Sequence, residues 1–328
     1  MSISHFFYKT KNAVLSIASY LISQCIGRYV YCGQKPMFAS FEISSTCNLH
    51  CPQCMIGTNR VNRSNTKLDI ELYRLIINTM RKYLTNAILY FQGEPMMNKQ
   101  FIDYVNIGKQ AGIYCMTSTN GLLIDRLLAK QIVESGLDKI IVSIDGTTQN
   151  TYGKYRVGGK IEKAVNAIRL IDDAKRRLHK SSPIIVAQMI VFSHNEHEVE
   201  DFKKQSLLWG ADIYSIKSAQ IYDIDNNIHL LPANSRYSRY TLRNGAYTTK
   251  HRIGACFRAW SGVVITADGY VVPCCFDKEA QHQYTHLDTN NVYHEIDLLT
   301  KSKSYTAFHN ILLRHRSSIT MCNNCNER

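Results

Sequence analysis

Ser45-Thr46-Cys47-Asn48-Leu49-His50-Cys51-Pro52-Gln53-Cys54 is the stretch that decides the reading of this chain. Its cysteines have the spacing C-x3-C-x2-C. Three thiolates on one short loop can bind three irons of a [4Fe–4S] cube and leave the fourth iron without a protein ligand. An open coordination position is where a metal centre does chemistry rather than hold structure. A zinc knuckle is the competing reading, but zinc closes four ligands and no fourth lies nearby in sequence. The triplet follows a strand-like run, Phe38–Ser44. That places it at the carboxyl end of a first strand, where α/β folds build their sites.

Beyond the loop, helical and strand-like segments alternate. Leu68–Tyr83 leads to Ala87–Gln92, Lys99–Ala111 to Tyr114–Thr119, and Leu122–Glu134 to Lys139–Ser143. Ile161–Lys180 leads to Ile184–Val191, and Glu198–Leu208 to Asp212–Lys217. Gly112, Gly136 and Gly210 each close a helical pattern, as C-terminal glycines do. Right-handed crossovers of this kind build a parallel sheet. The fold class expected is α/β, a partial (β/α)6 TIM-type barrel. Residues 221–255 read as a linker rich in Asp, Asn, Tyr and Ser. After it come a hairpin, Val263–Thr266 and Tyr270–Val272 about an Asp268-Gly269 turn, and a helix, Leu298–Leu313. They form a small C-terminal hairpin-plus-helix domain.

Polar groups stand at every expected strand end: Gly93-Glu94-Pro95 after the second, Ser118, Thr119 and Asn120 after the third, Ser143 and Asp145 after the fourth. Gln188 and Asn195 flank the end of the fifth, and Lys217 ends the sixth. Each alone is equally a turn or cap residue; together they line the face where such barrels build sites. Lys217 should face the cavity and could anchor an anionic substrate or accept a proton, though a surface lysine is the plain alternative. A second set of cysteines, Cys256, Cys274, Cys275, Cys322 and Cys325, surrounds the hairpin and the terminal C-x2-C. Four suffice to close one metal site. We assign Cys256, Cys274, Cys322 and Cys325, with Cys275 as the alternative hairpin ligand. Zinc-ribbon spacing is the competing reading. Cys25, Cys32 and Cys115 read as packing residues, although Cys115 and Cys275 are also the thiols available to return a hydrogen atom to a substrate.

The chain has 328 residues, 45% of them apolar, and a formal charge of +13. Eleven cysteines in a chain this long, most of them clustered, argue for reduced metal-binding thiols rather than a disulfide framework, and so for a cytoplasmic setting. The positive charge suits a phosphorylated substrate, a nucleic acid or an anionic membrane and does not choose among them. Within residues 1–36, Val14, Leu15, Ala18, Leu21, Ile22, Cys25 and Ile26 share one helical face, while Ser16, Ser19, Tyr20, Ser23 and Gly27 line the other. This is an amphipathic helix, not a span. With Lys9, Lys11 and Arg28 beside it, it suits peripheral membrane contact. The alternative is a helix packed on the outside of the barrel.

The cysteine triplet, the strand-end motifs and the second cysteine set together resemble the radical S-adenosylmethionine (radical SAM) superfamily with a SPASM/twitch-type auxiliary-cluster extension. The resemblance runs from about residue 38 onward and implies a core domain over 37–220 and an auxiliary domain over 256–328. It implies two [4Fe–4S] clusters, one binding SAM, and S-adenosyl-L-methionine as cofactor. His50 stands where the family has an aromatic residue or His before the second Cys. Gly93, Glu94 and Pro95 match the segment that meets the SAM ammonium. Ser143 and Asp145 match the one reaching the ribose or carboxylate, and Arg156 matches the arginine paired with the carboxylate. The implied reaction is reductive cleavage of SAM, giving a radical that removes a hydrogen atom from the substrate. An electron donor such as flavodoxin or ferredoxin is implied as partner. We expect a small polar, carbohydrate-like substrate that can be anionic, and an oxidation rather than an epimerisation. The alternatives are a peptide maturase, an RNA-modifying enzyme and a non-catalytic zinc-binding module. The segment before the first strand is short for a leader-binding domain, and no RNA-binding appendage is visible.

Overall fold

A computed structural model describes residues 3–250 and 255–325. Residues 1–2, 251–254 and 326–328, which fall in the expected helix, linker and auxiliary segments, lie outside it. A long helix α1 (Ile3–Ile26) precedes β1 (Phe38–Phe41). The alternation that follows runs α2 (Ile70–Met80), β2 (Asn86–Ile88), α3 (Phe101–Gln110), β3 (Tyr114–Thr119), α4 (Arg126–Glu134) and β4 (Lys139–Ser143). It continues with α5 (Gln149–Tyr155), α6 (Ile161–Arg177), β5 (Ile184–Val191), α7 (Val199–Leu208) and β6 (Ile213–Ser218). Strands β1 to β6 lie side by side in chain order, each parallel to the next. This is the expected partial barrel.

Helix starts follow their caps. Asp69 accepts a hydrogen bond from the Leu72 amide at 2.8 Å and starts α2. Asp125 does the same for Leu128, so α4 begins at Arg126 and not at the expected Leu122. α5 was not expected: it is a short polar helix capped by Thr148, without an apolar stripe. β2 ends at Ile88, short of the expected Gln92, because the chain turns there toward Gly93.

The expected linker contains a hairpin, β7 (Tyr240–Arg243) and β8 (Ala246–Thr249), turning on Asn244-Gly245 with both φ angles positive. The remaining elements are α8 (Phe257–Ser261), β9 (Gly262–Ile265), β10 (Tyr270–Val272), β11 (Thr285–His286), α9 (Val292–Leu298), α10 (Lys303–Arg314) and α11 (Thr320–Asn323). The expected helix Leu298–Leu313 is broken because Ser302 caps a new start, accepting from the Tyr305 amide at 3.2 Å. β9 pairs in parallel with β1, and β10 and β11 continue antiparallel from it. The C-terminal hairpin therefore extends the same sheet, making nine strands in all.

Alternation fixes the two faces of the sheet. Ile185, Ala187, Met189 and Val191 of β5 are buried against the helices; Val186, Gln188 and Ile190 therefore face inward. Between sheet and helices lie Phe41, Tyr73 and Tyr104, with successive ring centroids 4.8 and 4.9 Å apart.

α1 packs beside the C-terminal elements. The Tyr20 ring meets Phe257 and Trp260 edge-on, and its hydroxyl donates to the Ala255 carbonyl at 2.7 Å. The face that turns inward is the serine face: Asn12, Ser16, Ser19 and Ser23 are buried. These side chains serve the returning segment. Ser19 donates to the Val30 carbonyl at 2.6 Å, Ser23 accepts from the Val30 amide at 2.8 Å, and Asn12 bonds the Lys35 amide and carbonyl at 2.8 and 2.9 Å. Packing through the apolar face would be the usual arrangement; here that face points outward.

Candidate active site

The cysteine loop leaves β1 and crosses the carboxyl ends of the strands. Cys54 donates its amide to the Cys51 carbonyl at 3.1 Å, and Thr58 closes the turn on Cys54 at 3.0 Å. Gly57 sits so close that an added Cβ would lie 2.6 Å from the Cys51 amide nitrogen. The His50 amide bonds the Val157 carbonyl at 3.0 Å, while its ring is exposed in a cleft with Cys47, Ile56 and Asn65. Leu49, Tyr155, Phe192 and Ile221 pack around the three thiols. Burial raises the Cys47 thiol, and it raises Cys51 to about 11 against the pull of Arg156. Loading a metal cluster therefore releases protons.

Gly93-Glu94 is locked to this loop. The Glu94 amide bonds the Thr46 carbonyl at 2.7 Å, and Gly93, at φ +68°, leaves no room for a side chain beside the Ser44 carbonyl. The Glu94 carboxylate is buried. It accepts from Thr119 Oγ1 at 2.6 Å, the Asn120 amide at 2.7 Å and the Met96 amide at 3.2 Å. An ammonium would have to share these oxygens. Asn120 bridges back to Asn48 at 2.8 Å.

Asp145 and Arg156 meet, but not as free ligands. Asp145 is fully buried; its oxygens take Arg156 Nε at 2.5 Å and the Ile190 amide at 2.6 Å. Asp145, expected to reach a ribose or carboxylate, here meets Arg156 and the β5 backbone. Asn195 is held in the same way. It is fully buried, and its amide is held by the Asp145 and Ile190 carbonyls at 3.1 and 2.9 Å and by the Phe192 amide at 2.7 Å. Arg156 stacks over Tyr155, 5.4 Å to the centroid, and lies within electrostatic reach of Cys51. The buried Tyr152 hydroxyl beside it has no hydrogen-bond partner among the described residues.

Ser143 and Gln188 are register partners on the inner face, and Lys217 stands exposed on the inner side of edge strand β6. Cys115 is different. It is buried on the helix side of β3 against Gly108, with burial raising its thiol to about 12. It cannot meet a substrate in the barrel.

In the second set, Cys256, Cys274, Cys322 and Cys325 line one cavity with Phe276, Phe308, Leu312, Arg316 and Met321. Cys275 is not in its lining. It lies within reach of the Tyr90 and Tyr222 hydroxyls, and Tyr222 also of Cys54. Gln53 of the cysteine loop accepts from the Tyr222 amide at 2.8 Å. Tyr222 thus lies within electrostatic range of thiols from both sets, and Tyr90 within range of Cys275; sequence reasoning missed both. Tyr222 fell in the expected linker, and Tyr90 belongs to the inward phase of a β2 read as one longer strand. Among the described residues, no three His, Cys, Asp or Glu side chains converge tightly enough for a single metal ion. The second set is four soft thiols around an apolar hollow, a donor set that suits an iron–sulfur cluster.

A partial barrel with three thiols at the strand carboxyl ends and four more around a hairpin defines an iron–sulfur enzyme of the α/β class. A model of the radical SAM superfamily matches residues 41–205, and one of an iron-sulfur cluster-binding domain, SPASM, matches 256–326. The chain belongs to the radical SAM superfamily and carries a C-terminal SPASM domain.

It is 28% identical over 254 residues to the tungsten-containing aldehyde ferredoxin oxidoreductase cofactor-modifying protein of Pyrococcus furiosus, covering 71% of this chain and 69% of that one. It is 23% identical over 258 residues to the PqqA peptide cyclase of Gluconobacter oxydans, covering 73% and 70%. Two other curated relatives are matched over only 39% and 35% of their own length. The structure of BtrN in complex with AdoMet and 2-DOIA superposes with a TM-score of 0.55 at 15% identity, over 90% of this chain and 94% of that one. The protein is an enzyme whose cofactors are [4Fe–4S] clusters and SAM. No helix among the described residues is long and apolar enough to cross a membrane.

Proposed function

We propose that this enzyme oxidises a small, polar, anionic substrate, and that Lys217 helps to bind it. One observation carries the reading. Strands β1 to β6 contain two charged side chains, Lys139 and Lys217, and no carboxylate. Both lysines fall on the inner face by register, opposite Met116 and Ile190, but Lys139 begins β4 at the amino edge of the sheet, whereas Lys217 lies at the carboxyl end of β6. The carboxylates nearest the strand ends, Glu42, Glu94 and Asp145, are buried and bonded to the protein. A cation at the carboxyl edge of the strands with no open carboxylate beside it on the strands favours phosphate or carboxylate groups. Bound SAM supplies the radical that removes hydrogen from an unactivated carbon. The chain's own part is to hold SAM through the Gly93-Glu94 segment and the Arg156 side, to orient the substrate through Lys217, Gln188 and Ser143, and to exclude water. Net oxidation requires the substrate to lose a further electron and a proton. The four-thiol cavity, on the hairpin whose strand β9 pairs with β1, supports placing an electron acceptor there.

The reading is tested with anaerobically reconstituted protein and deuterated sugar phosphates, sugar acids and peptides. Deuterium should appear in 5′-deoxyadenosine with an anionic small molecule, and the product from unlabelled substrate should be about two mass units lighter, as loss of two hydrogens requires. Lys217→Met should raise KM for that substrate about tenfold, the loss of one charge-assisted contact. Transfer only from peptides would favour the second reading, a peptide maturase, which the similarity to a PqqA peptide cyclase supports.

A further inference from the structure

We propose that α1 rests its outward face on an anionic phospholipid surface. The observation is an inversion. The small polar side chains of α1 face the protein and bond the segment Val30–Lys35, and the apolar ones face away. Phe7, Val14, Ile17, Leu21, Ile22 and Ile26 are 40–65% exposed. Scattered apolar side chains on a surface are ordinary. These run along one side of a 24-residue helix, about 36 Å long at 1.5 Å per residue. The stripe itself, from Phe7 to Ile26, spans about 30 Å at 1.5 Å per residue, and an exposed apolar stripe of that length marks an interaction surface.

Charge selects the occupant. Residues 1–41 contain Lys9, Lys11, Arg28 and Lys35 and no Asp or Glu. Lys35 is engaged by Asp297 at 3.0 Å, and Lys9 by the Gly112 carbonyl at 3.1 Å. Lys11 and Arg28 are exposed, near opposite ends of the stripe. Arg314 joins Arg28, its Nε bonding the Gly27 carbonyl at 2.8 Å. An apolar stripe with cations at its ends and no acid on the helix is the pattern of a helix lying in the interface of an anionic bilayer. A second copy fits less well. An antiparallel, two-fold pairing of two such faces would bring Lys11 of one against Arg28 and Arg314 of the other, with no carboxylate on either helix to offset them.

The inference does not depend on the substrate reading. Its test is co-sedimentation of the purified full chain with vesicles of phosphatidylcholine alone or mixed with phosphatidylglycerol. Binding should require phosphatidylglycerol and weaken as salt rises. Ile17→Glu with Leu21→Glu should lower the vesicle partition coefficient by about tenfold or more, because two buried apolar contacts become charges. Iron content and circular dichroism should stay unchanged, since both side chains point away from the protein. Lys11→Glu should weaken binding less, without affecting folding. Equal binding by the double glutamate variant would overturn the proposal. So would absence of vesicle binding, whether the chain stays monomeric or forms a dimer in light scattering that the same variant dissolves. The dimer would assign the stripe to a second copy.

Discussion

Arg63 ties the arm that follows the catalytic cysteines to the auxiliary hairpin, and removing it tests how the two parts are joined. Its Nη2 meets both oxygens of Glu42 at 2.8 and 2.9 Å, its Nη1 meets Asp268 at 2.8 Å, and its Nε donates to the Lys278 carbonyl at 3.0 Å. Glu42, just past β1, is wholly buried, whereas the Asp268 side chain is 20% exposed. In Arg63→Met, Asp268 can hydrate but Glu42 cannot. Breaking such a pair leaves an uncompensated buried charge and costs about 3–5 kcal/mol. Glu42→Gln with Arg63→Met should recover part of that loss, a coupling read from a double-mutant cycle of anaerobic urea unfolding. pH gives a second signature. Burial raises the Glu42 carboxyl above its ordinary value even with Arg63 opposing it, and without Arg63 it rises further. A carboxyl raised on folding favours the folded state below its unfolded pKa, and that advantage is lost as pH rises through the folded pKa. The deficit of Arg63→Met relative to wild type should therefore shrink as pH falls from neutral towards 5 and reach its full size above the raised pKa. A deficit below about 1 kcal/mol, the value of a surface pair, or additive single changes would refute the reasoning.

The cysteine assignment is checked by iron and sulfide content after anaerobic reconstitution. Cys274→Ala should lower iron from about eight to about four per chain, while Cys275→Ala keeps about eight; the reverse result would make Cys275 the ligand. Gly93→Ala should destabilise the chain by about 2 kcal/mol or more. Its Cβ would stand 2.4 Å from the Ser44 carbonyl at a left-handed φ. Iron at the three-cysteine loop should fall with it, while the auxiliary cluster persists; full iron at wild-type stability would show that the loop tolerates the shift.

Strands with strong local signals were legible in the sequence. β4 and β5 follow runs rich in Ile and Val, β3 ends at Thr119 as expected, and the three-cysteine loop announces itself through spacing alone. β7 and β8 were readable too, since Asn244-Gly245 is a strong hairpin signal, but their polar strands hid it. α5 carries no apolar periodicity, so only its Thr148 cap marks it. At the site, residue types told which groups gather at the strand ends but not which way they point. Asp145 and Asn195 belong to the gathering, yet their atoms bond Arg156 and the backbone at 190–192. Whether a polar group meets a ligand or a neighbouring amide depends on contacts between segments far apart in sequence.

The same limit governs α1 and the domain boundary. A 3.6-residue period says which side chains share a face, not which face turns inward. On α1 the outcome was decided by Val30–Lys35, an extended segment whose amides and carbonyls had to be satisfied once buried and which found Asn12, Ser19 and Ser23. At the other end, composition marks a new segment at Cys256, but the sheet runs through it. The Met37 amide bonds the Ser261 carbonyl at 2.7 Å, and the Glu42 amide bonds the Ile265 carbonyl at 2.9 Å. β1 therefore carries the catalytic loop at its carboxyl end and holds the auxiliary hairpin along its edge. With backbone bonds at both ends of the pairing and Arg63 beyond it, one strand sets the separation of the two thiol sets. A linker does not, so the electron transfer proposed for an oxidation would depend on sheet geometry rather than on domain motion.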